Sequence, residues 1–189
     1  KLAKNAKAPH RDYIHLFLGQ SRLQLKMIPQ AEAAFSVGLK LSKPGDVQAS
    51  IQKGLLEAQY VQEKWKEVVA TSKLLANRKD DIGLFSQLRG AQARFNLKQY
   101  KEAEQTLMVL KPKTVKKLYE QEVAFLLAVS KYELGDLKGA LTEFEIAGRQ
   151  TKGQRTGEAL YRLGFVRFQL MHYDMAVVDF SEYRSKRKG

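Results

Sequence analysis

The sequence predicts an all-α fold: a right-handed α-solenoid of stacked antiparallel helix pairs. Three observations predict it. Residue types recur with a period of about 36 across nearly all of the 189 residues. Small residues recur in register where two helices of a pair would approach. No segment sustains the two-residue alternation of a strand, so no sheet is expected.

The period is read from five anchors, Ala31, Val68, Ala103, Ala140 and Ala176, separated by 37, 35, 37 and 36 residues. Twelve residues before them stand Gly19, Leu56, Ala91, Ala128 and Gly164. Eight before come Leu23, Tyr60, Phe95, Tyr132 and Phe168, and three before come Ile28, Trp65, Tyr100, Leu137 and Tyr173. Four after come Phe35, Ser72, Leu107, Phe144 and Phe180. Four of the five residues twelve before an anchor are small, and these with the anchor let two backbones approach, while the large apolar residues close the hairpin. A single hairpin cannot bury its apolar face alone, so neighbours must stack.

The expected elements follow in order, as one domain over 1–189. Residues 1–9 read as the remnant of a preceding second helix, because Leu2-Ala3-Lys4 through Lys7-Ala8-Pro9 echoes Gly38-Leu39-Lys40 through Lys43-Pro44. The first repeat spans 12–46, with Pro29 in the first turn of its second helix, where the missing N–H costs nothing. The second, 47–81, departs most, with Leu56 facing Val68 and Ser72 instead of a small residue facing an aromatic. The third, 82–115, ends at Pro112, which is placed with Pro9 and Pro44 between repeats. The fourth, 116–154, turns at Gly135-Asp136, and Gly153 and Gly157 mark its junction with the fifth. The fifth, 155–186, carries Leu163-Gly164, Tyr173, Ala176 and Phe180. No polar capping helix follows Tyr183, so an excerpt of a longer protein is expected.

This pattern resembles the tetratricopeptide repeat. The best copies are Leu163-Gly164 with Tyr173, Ala176 and Phe180, and Leu18-Gly19 with Ala31 and Phe35, and the resemblance covers about residues 12–186. The period exceeds the 34 residues usual in that family, which implies slightly longer helices or loops. The resemblance implies that a ligand lies along a face made by first helices. That places Tyr13, Leu16, Gln20, Lys53, Glu57, Tyr60, Phe85, Leu88, Gln92, Phe95, Phe125, Val129, Tyr132, Tyr161, Phe165 and Phe168 in or beside a groove, some packing between repeats instead. Such an aromatic surface suits an extended peptide or a helix. The Lys and Asn pairs by which some members clamp an acidic C-terminal peptide are not seen. Leu16/Gln20, Leu88/Gln92, Phe125/Val129 and Tyr161/Phe165 stand there, and Lys53/Glu57 is half suitable.

Composition narrows the chemistry. With no cysteine, disulfides, zinc thiolates and cysteine nucleophiles are excluded. A bacterial cytoplasm and an envelope compartment both fit, so compartment stays open between cytoplasmic and periplasmic. No apolar run reaches the roughly 18 residues that span a membrane. His10, His15 and His172 are too scattered for a metal, and no phosphate loop or serine elbow appears. Carboxylates two apart on a helix, as in Glu102/Glu104 and Glu143/Glu145, point to different faces and cannot act as a pair. Neither enzyme activity nor a cofactor is expected.

The net charge is +13, with +5 on residues 1–47, +3 on 48–147 and +5 on 148–189. Nine residues before the anchors stand Arg22, Gln59, Arg94, Lys131 and Arg167. Its four cations could form a basic ladder for a polyanion; the simpler reading has each stem over apolar surface and each head in water. The clusters Lys111-Pro112-Lys113 with Lys116 and Lys117, and Arg184 with Lys186, Arg187 and Lys188, read as solvated loops and ends. The leading expectation is a scaffold binding another protein, an acidic one among the candidates. The alternatives are an anion- or nucleic-acid-binding module and self-assembly into a homo-oligomer through the solenoid ends.

Overall fold

Apolar residues spaced at three and four along each segment wind into α-helices, and a computed structural model of the chain describes residues 10–114, 119–149 and 155–186. Among these residues every regular element is an α-helix. The chain forms two compact units, Lys1–Leu97 and Lys98–Gly189, dividing within the turn of the third expected repeat.

The first unit holds α1 (Arg11–Gln24), α2 (Ile28–Leu41), α3 (Asp46–Val61), α4 (Trp65–Leu75) and α5 (Asp81–Asn96). Each helix packs on the next in sequence, and the alternate helices α1, α3 and α5 also pack on one another. Phe35 is at the centre of the first core, with Leu16, Ala31, Ile51, Leu55 and Ala58. A Cβ at Gly19 of α1 or at Gly54 of α3 would overlap the Phe35 ring, so two glycines from different helix pairs enclose one aromatic. The closest neighbour of Gly19 is therefore Phe35, four residues beyond the anchor, and not the anchor Ala31 named by the sequence pattern. In the next pair the sizes are exchanged: Leu56 is fully buried and Ser72 is the small partner, with Gly90 of α5 against it. Leu56, Val68 and Ala93 form the second core.

The second unit holds α6 (Tyr100–Thr114), α7 (Glu120–Glu133), α8 (Leu137–Gly148), α9 (Thr156–Gln169) and α10 (Tyr173–Lys186). Its core gathers Leu107, Leu110, Val123, Leu127, Ala140, Phe144 and Val166. Helix α7 is buried on every side from Val123 to Ser130.

Four turns of recurring shape join first to second helices, at Lys26, Glu63, Gly135 and Met171, and the same left-handed backbone recurs at Lys98. Each of these residues stands five before its anchor. At Glu63 the residue's own N–H donates to the Tyr60 carbonyl, and the N–H of Lys64 donates to that of Gln59, each at 3.0 Å. The same pair of bonds closes the turns at Lys26, Gly135 and Met171. These are the doubled bonds of a Schellman close, which occupy carbonyls left open at a helix end.

Two expected breaks lie elsewhere. Pro112 falls inside α6, in its last turn, and not between repeats. A proline so near a helix end removes one ladder bond, and the Thr114 hydroxyl donates to the Lys111 carbonyl at 3.0 Å. Gly157 lies in the first turn of α9. Pro9, Gly153, Lys116, Lys117, Arg187, Lys188 and the expected helix remnant 1–9 lie outside the described residues.

Candidate functional site

The second unit carries a cavity of about 210 Å³, lined by Tyr132 of α7, Phe144 of α8, and Tyr161, Arg162, Phe165 and Val166 of α9. Phe144 and Val166 form its buried floor. Tyr161 and Phe165, four apart on one helix face, stand at its mouth and are each nearly half exposed. The Tyr132 and Phe165 rings are 6.3 Å apart. Tyr161 is braced from behind by Phe180 and Tyr183 of α10, at 6.0 and 5.5 Å.

Two guanidinium groups flank the buried ring of Phe125, Arg155 at 4.8 Å and Arg162 at 5.9 Å. Arg155 grips Glu122, at 3.0 and 3.2 Å, and also touches Glu158 at 3.2 Å. Its hydrogen bonds to Glu122 raise its affinity for a proton, against the cost of burial. Arg162 donates its Nε to Glu158 at 3.2 Å. Its two terminal amino groups have no partner among the described residues.

In the first unit Arg89 of α5 lies over the Tyr60 ring at 3.9 Å and beside the Phe85 ring at 5.1 Å. It closes a bidentate pair with Glu57, at 3.1 and 3.0 Å, and donates to Gln92 at 3.0 Å. Lys53 stands 5.2 Å over Phe85. Helices α3 and α5 are thereby tied by a cation seated on aromatic faces.

The expected groove residues divide. Tyr13, Gln20 and Lys53 are exposed, as are Tyr161, Phe165 and Phe168, while Tyr60, Phe85, Phe95 and Tyr132 are partly covered. Leu16, Leu88, Gln92, Phe125 and Val129 are buried and belong to the core, which corrects their placement in a groove. The reason is that α1 and α5 each pack on α3 as well as on a sequence neighbour, and α7 is buried all round, so the apolar stripe of a first helix is wider than one face. Phe168 turns toward Tyr173, 5.5 Å away, and does not line the cavity.

The basic ladder is corrected as well. Arg167 is held by Asp179 at 2.8 Å and Glu145 at 2.8 Å, and Lys131 by Glu104 at 3.3 Å and Asp136 at 3.1 Å. Burial works against the charge on Lys131, but its two carboxylates outweigh that and raise its affinity for a proton. Arg22 donates to the Gln30 carbonyl at 3.0 Å, within its own pair. Arg94 is partly buried. The heads at Lys131 and Arg167 therefore reach carboxylates, neither water nor a free polyanion site. Lys111, read as a solvated loop cation, bonds the buried Glu143 at 2.5 Å.

Arg162 and Val166 were not among the expected groove residues. A signal was present: Arg162 stands three before Phe165 and four before Val166 on α9, the spacing that makes side chains neighbours on a helix.

No protein-family model and no curated protein sequence matches the chain. Solved structures do. MamA from Desulfovibrio magneticus RS-1 superposes with a TM-score of 0.81 at 14% identity, over 95% of this chain and 96% of that one. The apo form of RapI gives 0.74 at 14% identity over 92% of this chain, which spans only 52% of RapI. A Podosopora anserina protein described as a kinesin light chain with nearly identical TPR-like repeats gives 0.72 at 15% identity, over 96% of each chain. The chain has the tetratricopeptide repeat fold. In this fold the cavity is built from the first helices α7 and α9 with one residue of the second helix α8. Among the described residues no group of three His, Asp or Glu gathers as a metal site, and no helix is long and apolar enough to cross a membrane.

Proposed function

We propose that the chain is a protein-interaction scaffold, and that the aromatic cavity of the second unit holds a side chain of a peptide or helix from its partner. The observation that carries the reading is the paired exposure of Tyr161 and Phe165 over the buried floor of Phe144 and Val166. Aromatic rings left open beside an apolar cavity keep surface that water solvates poorly, and binding a partner covers it. MamA, RapI and the kinesin light chain-like protein share the fold and support a repeat scaffold by likeness alone. A polyanion-binding role is less supported, because Lys131 and Arg167 are occupied by carboxylates.

Selection of a displayed random-peptide library tests the reading. The immobilised chain and its Tyr161→Ala/Phe165→Ala variant serve as parallel targets, with circular dichroism confirming that both keep their helices. Peptides enriched on the first and not on the second are expected. No enrichment, or equal enrichment on both, overturns the proposal.

A further inference from the structure

The cavity's size and its one open cation together define what fits it. At about 210 Å³ it is smaller than the roughly 300–1,000 Å³ of sites that enclose a whole small molecule, so its natural occupant is one side chain of a larger partner. Its floor is the Phe144 ring and the Val166 isopropyl group, and its other walls are the rings of Tyr132, Tyr161 and Phe165, which select a large apolar side chain. Arg162 is the charged residue of its lining. The Arg162 side chain is 38% exposed and commits only Nε to Glu158, leaving a two-pronged donor edge without a partner among the described residues. Such an edge matches a carboxylate in bidentate geometry. Glu122 and Glu158 together balance the charges of Arg155 and Arg162, so what Arg162 offers a ligand is its open hydrogen-bonding edge. The net charge of +13 adds a general attraction for an acidic segment.

We infer that the partner is a peptide segment in which a large apolar residue, seated in the cavity, has an acidic side chain within a few positions that takes the open edge of Arg162. This rests on the cavity being a protein-binding site, and adds the identity of the motif. A carboxylate bound there is partly desolvated by Tyr161 and Phe165, so it discriminates between acidic and basic flanks more sharply than a rim charge does.

The test uses fluorescent peptides, acetylated and amidated so that neither terminus is charged, read by anisotropy on the full chain. One has a phenylalanine flanked by glutamates, a second has lysines in place of the glutamates, a third has glutamines there, and a fourth has alanine for the phenylalanine. The glutamate peptide is expected to bind at least about tenfold more tightly than the glutamine peptide, which corresponds to one decade per 1.4 kcal/mol. The lysine and alanine peptides are expected to bind more weakly still. Arg162→Gln is expected to erase the preference for glutamate over glutamine while keeping the preference for phenylalanine, and Arg162→Lys to restore part of it. Equal binding of glutamate and glutamine peptides overturns the motif. So does a preference that survives Arg162→Gln. If the phenylalanine and alanine peptides also bind alike while a peptide library still enriches on Tyr161 and Phe165, the motif falls and the scaffold reading stands.

Discussion

At Lys26, Glu63, Lys98 and Met171 the backbone takes φ of 57° to 62°, a region that costs an L-residue roughly 1–2 kcal/mol. Gly135, at φ 85°, has the same place without that cost. Glu63→Gly is therefore expected to raise stability by about 0.5–1 kcal/mol in urea melts, and Gly135→Ala to lower it by about 1 kcal/mol. An unchanged midpoint in both would mean that these turns are not held as described. Asp80 gives a pH signature. Its side chain accepts from Arg78 and caps the Gly83 N–H at 3.0 Å, and these bonds, the first above all, pull its pKa down from 3.8 to about 2. A carboxylate whose folded pKa is depressed stabilises the fold above its unfolded value and loses that effect as pH falls through the folded one. Asp80→Asn is thus expected to be less stable than the parent at pH 5 and to converge with it near pH 2. A gap that persists at pH 2 would contradict the assignment.

Helix pairs in this chain are joined by size complementarity and by charge. Phe35 enclosed by Gly19 and Gly54 is the clearest case of the first. Phe35→Ala is expected to cost about 3–5 kcal/mol, and Gly19→Ala, which adds a methyl to a filled site, about 1–3 kcal/mol, both by denaturant unfolding. Of the second, Arg167 and Asp179 join α9 to α10 with both side chains largely buried. Burial raises the proton affinity of Asp179 more than Arg167 lowers it, so the pair is retained at a desolvation cost. Arg167→Met alone is expected to lose about 3–5 kcal/mol by stranding Asp179, and Arg167→Met/Asp179→Leu to recover most of it. A double variant as unstable as the single one would contradict this. These two kinds of joint also explain what the sequence made legible. Small and large residues at fixed offsets from Ala31, Ala140 and Ala176 leave a pattern that survives substitution, so the helix pairs could be read directly. Of the turns only Gly135-Asp136 was legible; those at Lys26, Glu63 and Met171 were not, because an exposed left-handed residue tolerates Lys, Glu or Met at modest cost. The surroundings of Lys131 and Arg167 were not legible, because Glu104, Glu145 and Asp179 come from neighbouring helices at positions the period alone does not pair.

Each compact unit is laced by ion pairs that link one helix pair to the next. Glu32–Lys64, Asp46–Arg78 and Glu57–Arg89 do so in the first unit, and Lys111–Glu143 and Glu122–Arg155 in the second. Each pair uses one cation and one anion and leaves the net charge of +13 unchanged, and the aromatic cavity is the feature of the second unit best suited to a partner. Its legibility was partial: Tyr132, Tyr161 and Phe165 follow from the repeat register, whereas Phe144 serves as both core and cavity floor, and Arg162 needed its neighbours in place. The central claim is that Tyr161 and Phe165 hold a protein. The most direct measurement is a pull-down from the source cell's lysate at 150 mM salt, run with and without nuclease, on the chain and on Tyr161→Ala/Phe165→Ala in parallel. The account predicts a discrete protein that survives nuclease on the parent chain and is lost from the variant. Recovery of nucleic acid alone, loss of every partner on digestion, or equal retention by the variant would contradict it.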